Sequence, residues 1–270
     1  MNMPALSYAA KPIANSPFED GPVVAGPVFY SERRTIKAAG ADKVIAIRLA
    51  ENADDRGKAS VIVNRQYGAR GYGNSHRLAT QPSSVVFAAS TASTVFGTIT
   101  LTVDSDQGLA SDRTFPDEVA ALRCKPGSVL TELSKFAFDP SPDSRPFLAS
   151  LFHIVYLYGT ERFHGTDLLI EVNPRHVRFY ELMLGFQRVG SLKDNASVGA
   201  ASQLMHLKVA DIGHQIALHA GETEIRSRSL YPYFFNAKVE QKLRERVRSY
   251  VAAPFLPMQA ANCDRDALSD

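Results

Sequence analysis

The rhythm of apolar and polar positions divides the chain into a leader, an alternating strand and helix region, and a helical tail. Residues 1–40 mix Pro12, Pro17, Pro22 and Pro27 with Gly and Ala and follow neither a helical nor a strand period. A flexible leader over 1–43 is expected. The apolar run 44–50 suits a strand. Asn52 then caps a helix over about 53–69, with Asp54 and Asp55 near its positive end and Gly71 and Gly73 behind it. Val, Thr, Phe and Ile crowd 84–90 and 94–104, which predicts an antiparallel hairpin. Residues 105–113 are polar and read as loop, and Pro116, Asp117 and Glu118 open a short helix over 115–122.

A strand is predicted over 129–138. Beyond Pro140 and Pro142, the residues Phe147, Leu151, Ile154, Val155 and Tyr158 recur at helical spacing, so 146–163 is a helix of about five turns. The continuous apolar stretch 167–172 is a buried strand, 175–184 a short helix closed by Gly185, and 186–189 and 203–209 further strands. Residues 211–220 and 235–250 read as helices of a C-terminal extension. This order gives an α/β domain over 44–210, a mixed central sheet flanked by helices, followed by a helical extension over 211–270.

Composition narrows the function. The chain has 270 residues and 45% hydrophobic content, enough for a substantial core. Thirty basic residues against 28 acidic leave a net charge of +2, with no basic and aromatic stripe, so no nucleic-acid partner is expected. No apolar run approaches the ~20 residues of a membrane span, and no signal peptide is legible, so a cytoplasmic protein without an integral membrane segment is expected. Cys124 and Cys263 sit in no metal-spaced motif, which favours a reducing compartment. His153, His164 and His176 lack ligand spacing, so no metal is expected, and no Gly-x-Ser-x-Gly nucleophile turn exists.

The chemistry concentrates in two stretches. One is Thr131-Glu132-Leu133-Ser134-Lys135-Phe136-Ala137-Phe138; the other is Asn173-Pro174-Arg175-His176-Val177-Arg178-Phe179-Tyr180 with Leu184-Gly185-Phe186 after it. On a strand, Glu132 and Ser134 share one face, and Leu133 and Lys135 the other. A carboxylate in a mostly apolar strand is costly to bury without a purpose or a partner. Glu132 therefore reads either as the acceptor of a substrate proton or as half of an ion pair with Lys135 or Arg123.

With a long helix between them, the two stretches resemble the acyl-transfer core of the GNAT N-acyltransferases. The Glu-Leu-Ser-Lys-Phe run is similar to the Glu-x-Ser-Arg-Phe motif of acyl-homoserine-lactone autoinducer synthases, and the whole most resembles their relatives, the long-chain N-acyl amino acid synthases. The resemblance implies a GNAT-like sheet and N-acyl transfer. It implies Glu132 and Ser134 in the catalytic region, Tyr180 as the acid for the departing thiolate, Asn173 beside it, and free backbone groups at Phe136 and Phe138 meeting the pantetheine arm. Lys135 replaces the motif's Arg, which puts bidentate recognition there in doubt.

CoA-using members carry a Gly-rich pyrophosphate loop next. Here the sequence is Asp139-Pro140-Ser141-Pro142-Asp143-Ser144-Arg145-Pro146, without glycine. That argues for acyl carrier protein as donor, its phosphopantetheine being the only cofactor group involved, with Arg145 as the phosphate contact. Basic residues at 242–248, or Arg162, Arg175 and Arg178, are the docking candidates for this acidic partner. The autoinducer synthases' acceptor Arg and Trp are out of register or missing, the chain having no Trp. An amino acid acceptor held through its carboxylate by Arg65, Arg70 or Tyr72 is expected instead, with Arg113 and Asp104 as weaker candidates. An acyl tunnel would borrow Leu151, Val155, Leu169 and Met183. The alternatives are an autoinducer synthase proper and a non-catalytic module that binds acyl chains or acyl carrier protein.

Overall fold

The computed structural model describes residues 26–36, 41–78, 81–91, 94–139, 144–222 and 228–251. Eight strands form one mixed sheet in the order β1-β2-β3-β4-β5-β6-β8-β7: β1 Val28–Ile36, β2 Ala41–Leu49, β3 Ser84–Ser90, β4 Val95–Val103, β5 Leu130–Phe138, β6 Asp167–Val172, β7 Gln187–Asn195 and β8 Ala200–Lys208. Only β5 and β6 pair in parallel; every other neighbouring pair is antiparallel. The helices are α1 Ala53–Gly68, α2 Pro116–Arg123, α3 Ser144–Phe163, α4 Pro174–Leu184, α5 Val209–His219 and α6 Ala237–Tyr250. This is the expected mixed sheet with flanking helices and a helical C-terminal part.

Local chemistry explains the boundaries. Asn52 Oδ1 accepts the Asp55 amide at 2.8 Å and caps α1. Pro116 occupies the first turn of α2, where a missing N–H costs nothing. Gly185 ends α4 at φ 84°, a left-handed position that the absence of a Cβ makes cheap.

The helices divide between the two faces. α1 packs on one face through Ala59, Ile62 and Val63 against Val86, Ala88 and Ala137, and beside it α2 buries Val119 and Leu122 with Phe115 and Leu169. The larger core lies on the other face, where Leu151, Ile154 and Leu157 of α3 meet Phe87, Ile99 and Leu101, joined by Val177 of α4, Ile212 of α5 and Leu243 of α6. Among the described residues no helix is long and apolar enough to cross a membrane.

Four features depart from the sequence expectation. β1 lies inside the stretch expected to be a flexible leader; pairing with β2 and burial of Phe29 in the main core hold it, although the prolines before it and its mixed composition hide its period. The remainder of that stretch, 1–25 and 37–40, lies outside the described residues, as do 140–143 and 252–270. The polar segment read as a loop contains a 3-10 turn at Ala110–Arg113. Cys124 is disulfide-bonded, which the spacing of the cysteines did not suggest.

The fourth concerns the strand at the centre of the motif. Thr98 faces Ala137 and Thr100 faces Ser134, so two steps on β4 are matched by three on β5, a bulge with Lys135 in its extra residue at φ 49°. The bulge turns Lys135 to the face that carries Glu132, not to the face of Leu133 as simple alternation required.

Candidate active site

Parallel pairing of β5 with β6 stops at Leu133 and Ile170. From Ser134 onward the β5 edge no longer pairs with β6, and its backbone groups border a gap in the sheet. The apolar slot lies on one face of this gap and the Lys135–His76 contact on the other.

On the α3 face an apolar slot runs beneath the gap. Leu133, Phe152 and Leu184 line it nearest the gap; Thr131, Leu168 and Leu207 lie at one level in adjacent strands, two residues deeper, or about 7 Å at strand rise. Gly159 and Gly165 border its far end, and the Gly165 amide donates to the Gly159 carbonyl at 3.2 Å. Ile212 of α5 with Tyr231 and Phe234 of the following 3-10 segment complete the wall.

The α1 face is polar and cationic. Lys135 Nζ lies 3.2 Å from His76 Nδ1 and 5.8 Å from the centre of the Tyr67 ring. Arg175 Nη2 donates to Tyr72 Oη at 2.8 Å and its guanidinium lies over the Tyr72 ring at 5.5 Å, so the loop after α1 reaches the first turn of α4. Burial, then the positive charge of Arg113, lowers the Lys135 ammonium from its usual range, against the pull of Glu132. Burial, with Arg175 and Arg70 adding to it, lowers His176 to about 4. Burial pushes the Tyr67 phenol up to about 12.

Glu132 is 2% exposed, and its two carboxylate oxygens accept the amides of Ala110 and Ser111 at 2.7 and 3.1 Å. Burial pushes its carboxyl up to about 7, against those amide hydrogen bonds and with Glu171 adding to the rise. Its partners are thus peptide groups of the 3-10 turn. Arg123, one of the two ion-pair candidates, is occupied by Asp104 and Asp112. The turn held by Glu132 carries Arg113, whose charge acts on Lys135.

The structure brings Glu132, Ser134, Lys135 and Tyr72 to one face of the sheet and distributes the other expected residues. Ser134 is half-buried opposite Thr100 beside the bulge. Arg65 pairs with Asp139, which also accepts Gln66 Nε2 at 2.8 Å, so Arg65 ties α1 to the end of β5. Arg70 donates to the carbonyl and side chain of Gln66. Asn173 caps α4, its Oδ1 accepting the Arg175 amide at 3.2 Å. Phe136 packs on Phe152 at 5.6 Å and Phe138 on Phe96 and Phe147, all on the α3 face.

Tyr180 is 9% exposed and lies in the main core between Phe179 and Phe186, at 5.2 and 5.9 Å, rather than with Glu132. Arg145 is exposed in the first turn of α3. Leu151 and Leu169 are core, while Val155 lines the slot. His76, Tyr67 and the Ala110 and Ser111 amides escaped the sequence reading, because their roles depend on contacts across 21 residues or more. Among the described residues no group of three His, Cys, Asp or Glu is placed to hold a metal ion.

Comparison with known proteins places this geometry. The solved structure of FeeM, an N-acyl amino acid synthase from uncultured soil microbes, is 34% identical, with a TM-score of 0.56 over 62% of this chain and 93% of that one. An N-acetyltransferase from Staphylococcus aureus Mu50 is 13% identical over 62% of this chain and 98% of that one, TM-score 0.40. The CoA-dependent acyl-homoserine lactone synthase BjaI, with SAM and isopentyl-CoA, is 14% identical over 74% and 87%, TM-score 0.43. No curated protein matches in sequence. The family model for the N-acyl amino acid synthase FeeM matches residues 58–208, more than half of the sequence and all of β3 to β8, and the chain belongs to that family of N-acyltransferases.

Proposed function

We propose that this N-acyltransferase moves a medium or long fatty acyl chain from acyl carrier protein to the α-amine of an amino acid. One observation carries the reading: the β5–β6 pairing ends at Leu133, with an apolar slot on one face of the gap and a cationic cleft on the other. A thioester in the gap would extend its acyl chain into the slot and present its carbonyl to the unpaired β5 edge. Backbone N–H groups there would meet the developing oxyanion. The acceptor would approach from the α1 face, its carboxylate near Arg175 and Tyr72 and its nitrogen near Lys135. Carboxylate capture by Arg175 replaces the role first given to Arg65, which Asp139 already occupies.

Acyl carrier protein as the donor is supported by the sequence 139–146, which has no glycine to wrap a pyrophosphate. Arg145 is exposed where α3 begins, close to the end of the open β5 edge, and can meet a single phosphate. Of the basic residues on α6, Arg244 and Arg248 are taken by Glu161 and Arg246 by the Phe29 carbonyl, which leaves the exposed Lys242, Arg145 and Arg178 for docking. Glu132 acts by holding the Ala110–Arg113 turn in place. Mass spectrometry of lipid extracts from cells expressing the chain tests the function. New N-acyl amino acids, absent with a Lys135→Met variant, are expected; extracts identical to those of cells without the chain would overturn it.

A further inference from the structure

Glu132 is poorly placed to collect a proton from substrate, since it is buried and both oxygens already accept peptide amides. The cleft offers another path. His76 Nε2 lies 2.7 Å from the Tyr72 carbonyl oxygen. A carbonyl only accepts, so Nε2 carries the hydrogen, and the neutral ring presents a bare Nδ1. That Nδ1 faces Lys135 Nζ at 3.2 Å.

Both ends of this pair are fixed. The His76 amide donates to Asn64 Oδ1 at 2.7 Å, Asn64 Nδ2 donates to the His76 carbonyl at 3.2 Å, and Tyr67 packs edge-on against the imidazole at 4.9 Å. Gly71 and Gly73, at φ 78° and 84°, flank Tyr72 and allow its carbonyl to turn toward the ring. Lys135 sits at φ 49°, where a residue with a Cβ is strained, and such strain concentrates at functional positions. Glu132 on β5, Arg113 on the 3-10 turn, Tyr67 on α1 and Tyr72 in the following loop are the titratable and charged neighbours of the pair.

We propose that His76 is the terminal proton acceptor of the acyl transfer, with Lys135 as the relay that faces the substrate amine. The inference rests on the N-acyl transfer to an amino acid proposed above. Lys135 passes a proton to His76 Nδ1, and the neutral Lys135 amine takes one from the acceptor ammonium. The freed nitrogen attacks the thioester carbonyl, and the C–N bond forms as the C–S bond breaks. The nitrogen's second proton goes to the departing thiolate, and His76 releases the first to solvent. The lowered Lys135 ammonium makes the first transfer less uphill.

The test is the pH dependence of thiol release by the full chain, with an acylated acyl carrier protein and an equimolar mixture of the twenty amino acids at sub-saturating concentration. The parent rate should rise with pH through a single limb. His76→Gln should lose that limb and fall about 10²–10⁴-fold. Added imidazole should restore part of the rate to His76→Ala, which a purely structural role would not allow. Three results overturn the proposal: a limb that survives in His76→Gln, a limb lost only in Glu132→Gln, or a Lys135→Met variant that raises the acceptor KM without lowering kcat. A parent that forms no amide removes the function proposed above as well, whereas an active parent with an unchanged limb in His76→Gln removes only the relay.

Discussion

At the scale of single residues, the motif strand is shaped by two conflicts with ordinary preference, and each gives a measurable outcome. Lys135 holds a left-handed backbone conformation that costs an L-residue about 1 kcal/mol or more. Lys135→Gly should therefore hold or raise the melting temperature while abolishing amide formation, a split that thermal unfolding and a product assay read separately. Glu132 has a folded-state pKa raised to about 7, above the ordinary carboxyl range near 4.3. A raised carboxyl favours the folded state at low pH, and that contribution is lost as pH climbs from about 4 through 7. The parent should lose stability relative to Glu132→Gln between pH 5 and pH 8 in urea unfolding. The sequence made both residues conspicuous, but alternation alone put Lys135 on the wrong face, since a bulge is set by the register with β4 and leaves no local signature.

At the scale of elements, the strands and helices of the matched region were legible because their apolar periods and caps agree with the tertiary packing. The strand expected at 84–90 is β3 Ser84–Ser90, and the helix expected at 146–163 is α3 Ser144–Phe163. β1 was not legible, because its apolar residues pack on elements far away in sequence: Phe29 meets Tyr158 and Tyr250 at 6.0 and 5.4 Å. The gap itself could be anticipated only through resemblance, as no local pattern states where two parallel strands part. Asn173, expected near the leaving thiolate, instead caps α4. Asn173→Ala should cost about 1 kcal/mol in urea unfolding and misplace Arg175, whose amide the cap holds.

At the scale of the whole molecule, the proposed function would have the sheet separate the two substrates, with the acyl chain in the slot on one face and the acceptor in the cationic cleft on the other. The slot's far wall draws on Ile212, Tyr231 and Phe234, all beyond the region matched by the family model. Gly159 borders its end, and a Cβ there would stand 3.4 Å from Leu101 Cδ2, so alanine fits while valine fills the slot. Gly159→Val should shift the product distribution toward shorter acyl chains, read by mass spectrometry.

Away from the gap, Asp167 is fully buried where β6 begins and accepts His206, Lys208 and Thr166 at 2.7, 2.6 and 2.6 Å. Burial alone would raise its carboxyl, but the hydrogen bonds from Lys208, Thr166 and His206 outweigh it and hold the group at about 2. A lowered carboxyl stabilises the fold above its unfolded pKa near 3.9, and that contribution disappears as pH falls toward 2. Asp167→Asn should make unfolding less steep in this acid window.

The most direct test of the central claim is a reaction of the purified full chain with acylated acyl carrier protein, or with the matching acyl-CoA, and the twenty amino acids. Release of an N-acyl amino acid with one equivalent of carrier-protein thiol, faster from the carrier protein than from CoA, is the predicted result. Hydrolysis of the thioester without amide, or no turnover while the acylated carrier protein still binds, would contradict it.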